Sequence, residues 1–134
     1  MVKEVLVNEV LTSEMVSAGN EPSQQLATSA LKIDGLLWLF AAENNTWHFV
    51  IVSPEVRIYG PKKVYQDIRA VLEKIPKNEQ KIPFESIFVL DSNDQLIQML
   101  RQSIRTGPDI SGIRFSQNVI NGVLIDDVYI YKLI

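Results

Sequence analysis

The chain has 134 residues, of which 46% are hydrophobic and 22% are charged, and its formal net charge is −3. This balance predicts one globular domain, residues 1–134, that is long enough to bury a core. The chain contains no cysteine, which excludes disulfide frameworks, thiolate zinc sites and cysteine nucleophiles. The acidic balance disfavours a nucleic-acid partner, because phosphate binding normally requires a basic surface.

The sequence also disfavours secretion and membrane insertion. Glu4 and Glu9 interrupt the region where a secretory signal needs an apolar run. The longest apolar run, Gly35–Ala42, is much shorter than the roughly 20 residues that cross a bilayer. We therefore expect a soluble, cytoplasmic protein that does not contact a membrane.

The first half of the chain alternates helical and strand patterns. A helical pattern begins at Thr12, and Pro22 opens a second helical segment that ends before Gly35. Two apolar segments, Gly35–Ala42 and Trp47–Ser53, then flank a polar loop, as strands of a hairpin do.

The second half begins with an amphipathic helix that opens at Gly60-Pro61. A short buried strand, Ser86–Leu90, is followed by Ser92–Gln95, which matches the S-x-x-Q capping box and predicts the start of another helix. A final hairpin gives the order α-β-β-α-β-α-β-β. We expect an α+β fold, a two-layer α/β sandwich with a mixed, largely antiparallel sheet of about five strands.

The final hairpin contains Asn121-Gly122, which favours a two-residue type I′ turn because both positions need a positive φ angle. This turn predicts a register in which Ser116 faces Asp127 and Arg114 faces Tyr129. Alternation along the strands then predicts an apolar face and a polar face. The apolar face holds Ile113, Phe115, Val119, Leu124, Val128 and Ile130. The polar face holds Arg114, Ser116, Asn118, Asp127, Tyr129 and Tyr131.

The polar face has two interpretations. It is the solvated side of a half-buried sheet, in which an ion pair between Arg114 and Asp127 maintains the register. Alternatively, it is a recognition surface formed by Arg114, Asp127, Tyr129 and Tyr131, because arginine and tyrosine are enriched in binding hot spots.

The first hairpin is apolar on both faces. If Ala42 faces Trp47, one face carries Trp38, Phe40, Trp47 and Phe49, and the other carries Leu37, Leu39, His48, Val50 and Val52. Such strands are either central and covered on both sides, or part of a dimer or ligand surface. Trp38 and Trp47 are therefore candidate binding residues as well as candidate core residues.

Candidate catalytic groups are sparse. His48 is the only histidine, so it cannot form a paired-histidine zinc site, and no G-x-S-x-G nucleophile motif accompanies it. Lys62 and Lys63 near a helix start could hold an anion, but no phosphate-loop pattern follows them. We expect no metal and no cofactor, and we expect that the protein is not an enzyme.

The segment from Leu37 through Ser53, Leu-Trp-Leu-Phe-Ala-Ala-Glu-Asn-Asn-Thr-Trp-His-Phe-Val-Ile-Val-Ser, follows a helix. It is similar to the opening hairpin of GAF-type sensor domains over about a third of the chain. The resemblance implies a small-ligand sensor with an enclosed apolar pocket. The final hairpin departs from that family pattern, because no long ligand-enclosing loop precedes it.

Three functions follow from these observations. The leading hypothesis is a domain that acts by protein–protein contact, as a homodimer or with another protein partner. The second is a small-ligand sensor. The third is a nucleic-acid-processing enzyme that uses Arg101, Arg105, Arg114 and Asp127, which requires these side chains to converge.

Overall fold

The computed structural model of the chain describes residues 11–41, 46–120 and 123–134, with the backbone alone described at Ala41, residues 116–120 and residues 123–126. The predicted polar loop at residues 43–45, the Asn121-Gly122 turn and residues 1–10 lie outside the described residues. Among the described residues, no helix is long and apolar enough to cross a membrane.

Five helices and five strands are described, with a short 3₁₀ turn at Phe84–Ser86 before the third strand. The helices are α1 Ser13–Ala18, α2 Asn20–Ala27, α3 Glu55–Tyr59, α4 Pro61–Leu72 and α5 Gln95–Ser103. The strands are β1 Gly35–Ala41, β2 Thr46–Val52, β3 Ile87–Leu90, β4 Ile113–Ile120 and β5 Val123–Leu133. The short helix α3 lies between the first hairpin and α4, a segment for which the sequence pattern predicted no element.

The strands form one five-stranded sheet with the order β3-β2-β1-β5-β4. Strands β2 and β3 are parallel, and the other neighbouring pairs are antiparallel. The predicted α+β class and the mixed, largely antiparallel sheet are therefore confirmed. The edges of the sheet are β3 and β4.

Helices pack on both faces of the sheet. The first face is the one that carries Trp38, Phe49 and Tyr131, and it packs against α2 and α4 through Leu26 and Ile68. The second face carries Leu37, Val50, Val52, Val128, Ile130 and Leu133, and it packs against Ile97 and Leu100 of α5. The apolar positions of α4 and α5 recur every three or four residues, so each helix buries one stripe. Both faces of β1 and β2 are thus covered, as their sequences require.

The register of the last hairpin is as predicted, with Arg114 opposite Tyr129 and Ser116 opposite Asp127. The first hairpin differs from the expected register, because Trp47 pairs with Phe40 rather than with Ala42. The shift is two residues, so every side chain keeps its predicted face. A longer loop constrains the register less than a two-residue turn does, and contacts such as the Phe40–Trp47 ring pair at 5.4 Å accompany the observed pairing.

The predicted capping role of Ser92 is wrong. Asp94 caps α5 instead, and its carboxylate accepts a hydrogen bond from the Leu96 backbone N–H at 2.9 Å. The Ser92 hydroxyl is buried and donates to Asp34 Oδ2 at 2.7 Å. The Ser92 side chain, which the local pattern assigned to the helix start, therefore bonds to a residue that is distant in the sequence.

Candidate functional site

Arg114 and Asp127 form a bidentate ion pair across β4 and β5. Arg114 Nε donates to Asp127 Oδ1 at 2.6 Å, and Nη2 donates to Oδ2 at 2.5 Å. The hydrogen bond to Asp127 raises the pKa of Arg114. The Arg114 side chain is 47% exposed and that of Asp127 is 19% exposed. The predicted ion pair is therefore present. Its two parallel hydrogen bonds hold the guanidinium and the carboxylate in one geometry.

The two tyrosines of the predicted polar face are not equivalent. Tyr131 is fully buried, and its hydroxyl donates to the Val16 carbonyl oxygen at 2.6 Å. Burial raises the pKa of Tyr131 above its usual range. A side chain at Gly19 would collide with the Tyr131 hydroxyl, so glycine is needed at this close approach. Tyr129 is half-buried and packs edge to face against Tyr131.

The interpretation of a solvated face is therefore wrong for Tyr131. The reason is that α1 and the α1–α2 junction pack over this end of the first face, so the residue belongs to the core. Of the four residues proposed for the recognition surface, Arg114 is exposed, Asp127 and Tyr129 are partly exposed, and Tyr131 is not accessible to a partner.

The two tryptophans lie in the core of the first face, where Trp38 is 4% exposed and Trp47 is 6% exposed. The Trp38 indole N–H donates to the Met15 carbonyl oxygen at 3.2 Å. The Trp47 indole nitrogen is buried and has no hydrogen-bond partner within the described part of the chain. The Arg114 guanidinium lies 6.0 Å from the centre of the Trp47 ring. Trp47 thus belongs to the core and also lies next to the Arg114–Asp127 pair.

An open groove with a volume of about 390 Å³ lies beside the two tryptophans. We call it the tryptophan groove. Its walls come from α1 and its N-cap, from the middle of β1, from the start of β2 and from residues 81–86. It is lined by Thr12, Met15, Ala18, Trp38, Thr46, Trp47, Lys81, Ile82, Pro83 and Ser86. Lys81 is the one charged residue among these lining residues.

A second open groove of about 560 Å³ shares Ala18 and Lys81 with the tryptophan groove. Its charged lining is mainly acidic, and Glu14, Glu21 and Glu79 contribute to it. Among the described residues, no group of three or more histidine, cysteine, aspartate or glutamate side chains is placed to hold a metal ion.

The two edges of the sheet differ in length and in protection. Strand β3 has four residues, and the Val89 backbone N–H on this edge donates to the Tyr65 hydroxyl at 3.0 Å. Strand β4 has eight residues, Ile-Arg-Phe-Ser-Gln-Asn-Val-Ile, and is the last strand on its side of the sheet. It contains no lysine and no proline, and its single charged residue, Arg114, is already paired with Asp127.

A polar cluster that the sequence did not indicate joins Asp34, Ser92 and Arg101. Arg101 donates to the Ser92 carbonyl oxygen at 2.9 Å and to the oxygen of Ile134 at 2.8 Å, and it lies 3.8 Å from Asp34. These contacts tie the start of β1, the end of β3 and α5 together. The only sequence signal at Asp34 was its position before Gly35, which indicated a helix end.

Arg101 and Arg114 lie in different parts of the molecule. Arg101 is on α5, which packs on the second face, whereas the Arg114 side chain approaches Trp47 on the first face. The arrangement therefore gives no support to a nucleic-acid-processing site that needs both arginines beside Asp127.

His48, the single histidine of the sequence, packs against an aromatic side chain. The His48 ring stacks on Phe88, with 3.9 Å between the ring centroids and an interplanar angle of 12°. Thr46 Oγ1 lies 3.3 Å from His48 Nε2. These contacts are those expected of a structural strand histidine near a sheet edge.

Comparison of the chain with protein-family models, with curated proteins and with solved structures finds no match. The GAF-type resemblance of the first hairpin thus gains no support from a family match. The fold defines the class as a small α+β domain with a five-stranded sheet, and within the described residues the β4 edge pairs with no further strand.

Proposed function

We propose that the protein is a non-enzymatic interaction domain that pairs with a second copy of itself through the β4 edge. The observation that carries this proposal is the difference between the two sheet edges. β3 is short and its Val89 N–H is occupied by Tyr65, whereas β4 is twice as long and pairs with β5 alone among the described strands.

An edge strand presents unpaired backbone N–H and C=O groups, which form a template for another strand. Monomeric proteins usually protect such edges with lysine, proline, bulges or short strand length. None of these protections is present in β4, because it has eight residues, no lysine and no proline, and it pairs with β5 without a bulge in the described register. This composition favours use of the edge as an interface.

The second copy is the partner that this edge fits best. Two identical strands can pair antiparallel about a two-fold axis, because each offers the other the same pattern of donors and acceptors. The pairing requires no charge of opposite sign on the partner, and Arg114 is neutralised by Asp127 within its own hairpin. Two five-stranded sheets would then form one continuous ten-stranded sheet.

The Arg114–Asp127 pair lies on the rim of the proposed interface. Its bidentate geometry holds the planar guanidinium in place, so Arg114 can pack against the second copy at a low cost in side-chain entropy. We place this interaction in the cytoplasm, since a chain without cysteine suits a reducing compartment.

The test is light scattering of the full chain at several concentrations, with two proline variants. Ser116→Pro and Gln117→Pro replace neighbouring residues of β4, whose backbone N–H groups point to opposite sides of the strand. The variant that removes the outward N–H should dissociate the dimer and keep the fold, as monitored by circular dichroism. The variant that removes the inward N–H should weaken the β4–β5 pairing and lower the melting temperature.

A wild-type chain that scatters as a monomer at every concentration would overturn the proposal. A dimer that survives both proline substitutions would also overturn it, because the contact would then lie elsewhere.

A further inference from the structure

We propose that the tryptophan groove binds a small molecule with an apolar body and a single carboxylate group. The groove has the size and surface of a small-ligand site. Its volume of about 390 Å³ lies within the range of roughly 300–1,000 Å³ that is typical of such sites. Most of its lining is apolar, and the two indole rings offer flat surfaces for an aromatic or aliphatic body.

The polar groups of the groove include one cation and several possible hydrogen-bond donors. Lys81 supplies an ammonium group, and the hydroxyl groups of Thr12, Thr46 and Ser86 can each donate or accept a hydrogen bond. The indole N–H of the lining residue Trp47 is buried. Among the described residues, no carboxylate lines the tryptophan groove and none forms an ion pair with Lys81. An occupant that brings acceptors is complementary to these groups, and a carboxylate also balances the lysine charge.

The Trp47 indole N–H is the second observation that indicates a ligand. Buried donors without an acceptor are uncommon, and each one calls for an explanation. Trp38 lines the same groove and differs in this respect, because its N–H is bonded to the Met15 carbonyl oxygen. An acceptor brought by a ligand would satisfy the indole N–H for which residues 11–41, 46–120 and 123–134 offer no acceptor.

Both walls of the groove are held in place before any ligand binds. On one side, the Thr12 hydroxyl caps α1 by accepting from the Met15 backbone N–H at 3.1 Å. On the other side, the Gln80 side chain brackets the Ile82 backbone, with contacts of 2.9 Å to its oxygen and 3.1 Å to its nitrogen. A preorganised site loses less conformational entropy when it binds a ligand.

The neighbouring acidic groove limits the number of negative charges that a ligand of the tryptophan groove can carry. Glu14, Glu21 and Glu79 line the neighbouring groove, which shares Lys81, and they would repel an anion that extends into it. A polyphosphate or polycarboxylate would meet this repulsion, whereas a compact monocarboxylate can remain between Lys81 and the indoles. The charges thus favour a ligand with one acidic group.

The test uses the full chain labelled with ¹⁵N and the probe 3-phenylpropionate, with the uncharged 3-phenylpropionamide as a matched control. The chain has two tryptophans, so two indole N–H signals are expected, and Trp47→Phe assigns them. We expect 3-phenylpropionate to shift the Trp47 signal downfield by giving it an acceptor, with a smaller change at Trp38. The amide should bind at least about tenfold more weakly, because it lacks the charge that pairs with Lys81.

A pair of lysine variants tests the role of charge. Lys81→Met should weaken the binding of 3-phenylpropionate about tenfold. Lys77→Met removes an exposed lysine that lines a different cavity, and it should leave the binding unchanged. The proposal is overturned if the Trp47 signal does not move at millimolar probe, if the amide binds as tightly as the acid, or if the two lysine variants bind equally well.

Discussion

The two antiparallel hairpins of the sheet have opposite surroundings. The β1–β2 hairpin is central, and Trp38, Phe49 and Val50 are buried on its two faces. The β4–β5 hairpin forms the edge of the sheet and carries the exposed Arg114–Asp127 ion pair. The central hairpin therefore contributes mainly to stability, whereas the edge hairpin carries the surface that we propose as an interface.

Strand β5 connects these two environments within a single element. From Val128 onward it pairs with β1, and Val128, Ile130 and Leu133 are fully buried. From Val123 to Asp127 its described partner is β4 alone. One strand can thus anchor the hairpin in the core at one end and extend it beyond β1 at the other.

The largest expected effect is on the central hairpin. Phe49 is fully buried and packs against Trp38 at 5.2 Å between ring centroids and against Tyr131 at 6.0 Å. Phe49→Ala should lower the free energy of unfolding by about 3–5 kcal/mol, because it leaves a cavity among rings that cannot collapse fully. Urea denaturation monitored by circular dichroism measures this loss.

The matched control is Phe88→Ala on the edge strand β3, where Phe88 is 41% exposed. Its expected cost is about 1 kcal/mol or less, since much of the ring is already in contact with water. Equal losses in the two variants would contradict the distinction between a central and an edge environment.

An intermediate effect is expected at Tyr131, where the edge hairpin meets the core. Tyr131→Phe should cost about 1–2 kcal/mol, because the hydrogen bond to the Val16 carbonyl oxygen is lost within the protein. Denaturation at neutral pH measures this cost. Tyr129→Phe, on the same strand and half-buried, is the matched control and should cost less.

The same tyrosine predicts a pH dependence. Burial raises the pKa of Tyr131 in the folded chain above its unfolded value near 10, so folding favours the protonated phenol. This contribution is fully present below about pH 10 and is lost as the pH rises further. The stability of the wild type should therefore fall more steeply above pH 10 than that of Tyr131→Phe. Parallel alkaline limbs in the two unfolding profiles would contradict this prediction.

The smallest expected effect concerns the Arg114–Asp127 pair. Arg114→Ala and Asp127→Ala should each lower stability by about 1 kcal/mol, because an ion pair that keeps contact with solvent gains little over hydration. A double-mutant cycle at low and at high salt measures the coupling between the two side chains, which should weaken with salt. A coupling well above 1 kcal/mol that is insensitive to salt would show that this pair is as buried as the central hairpin.

Local sequence patterns determined the elements and most of the side-chain faces. The Asn121-Gly122 pair predicted the β4–β5 register because a two-residue turn leaves one way to align the strands. Face assignments in the first hairpin held despite the wrong register, because a shift of two residues preserves alternation. The mixed sheet followed from the order of helical and strand patterns.

Tertiary structure decided the partners of individual polar side chains. Ser92 matched a helix cap, yet it bonds to Asp34, which lies 58 residues away in sequence. Tyr131 alternated with solvent-facing positions, yet α1 covers it. The hydrogen bond from the Val89 N–H of β3 to the Tyr65 hydroxyl likewise joins segments that meet only in the folded chain. Periodicity describes which side of an element a residue occupies, but the packing of distant elements decides what that side contacts.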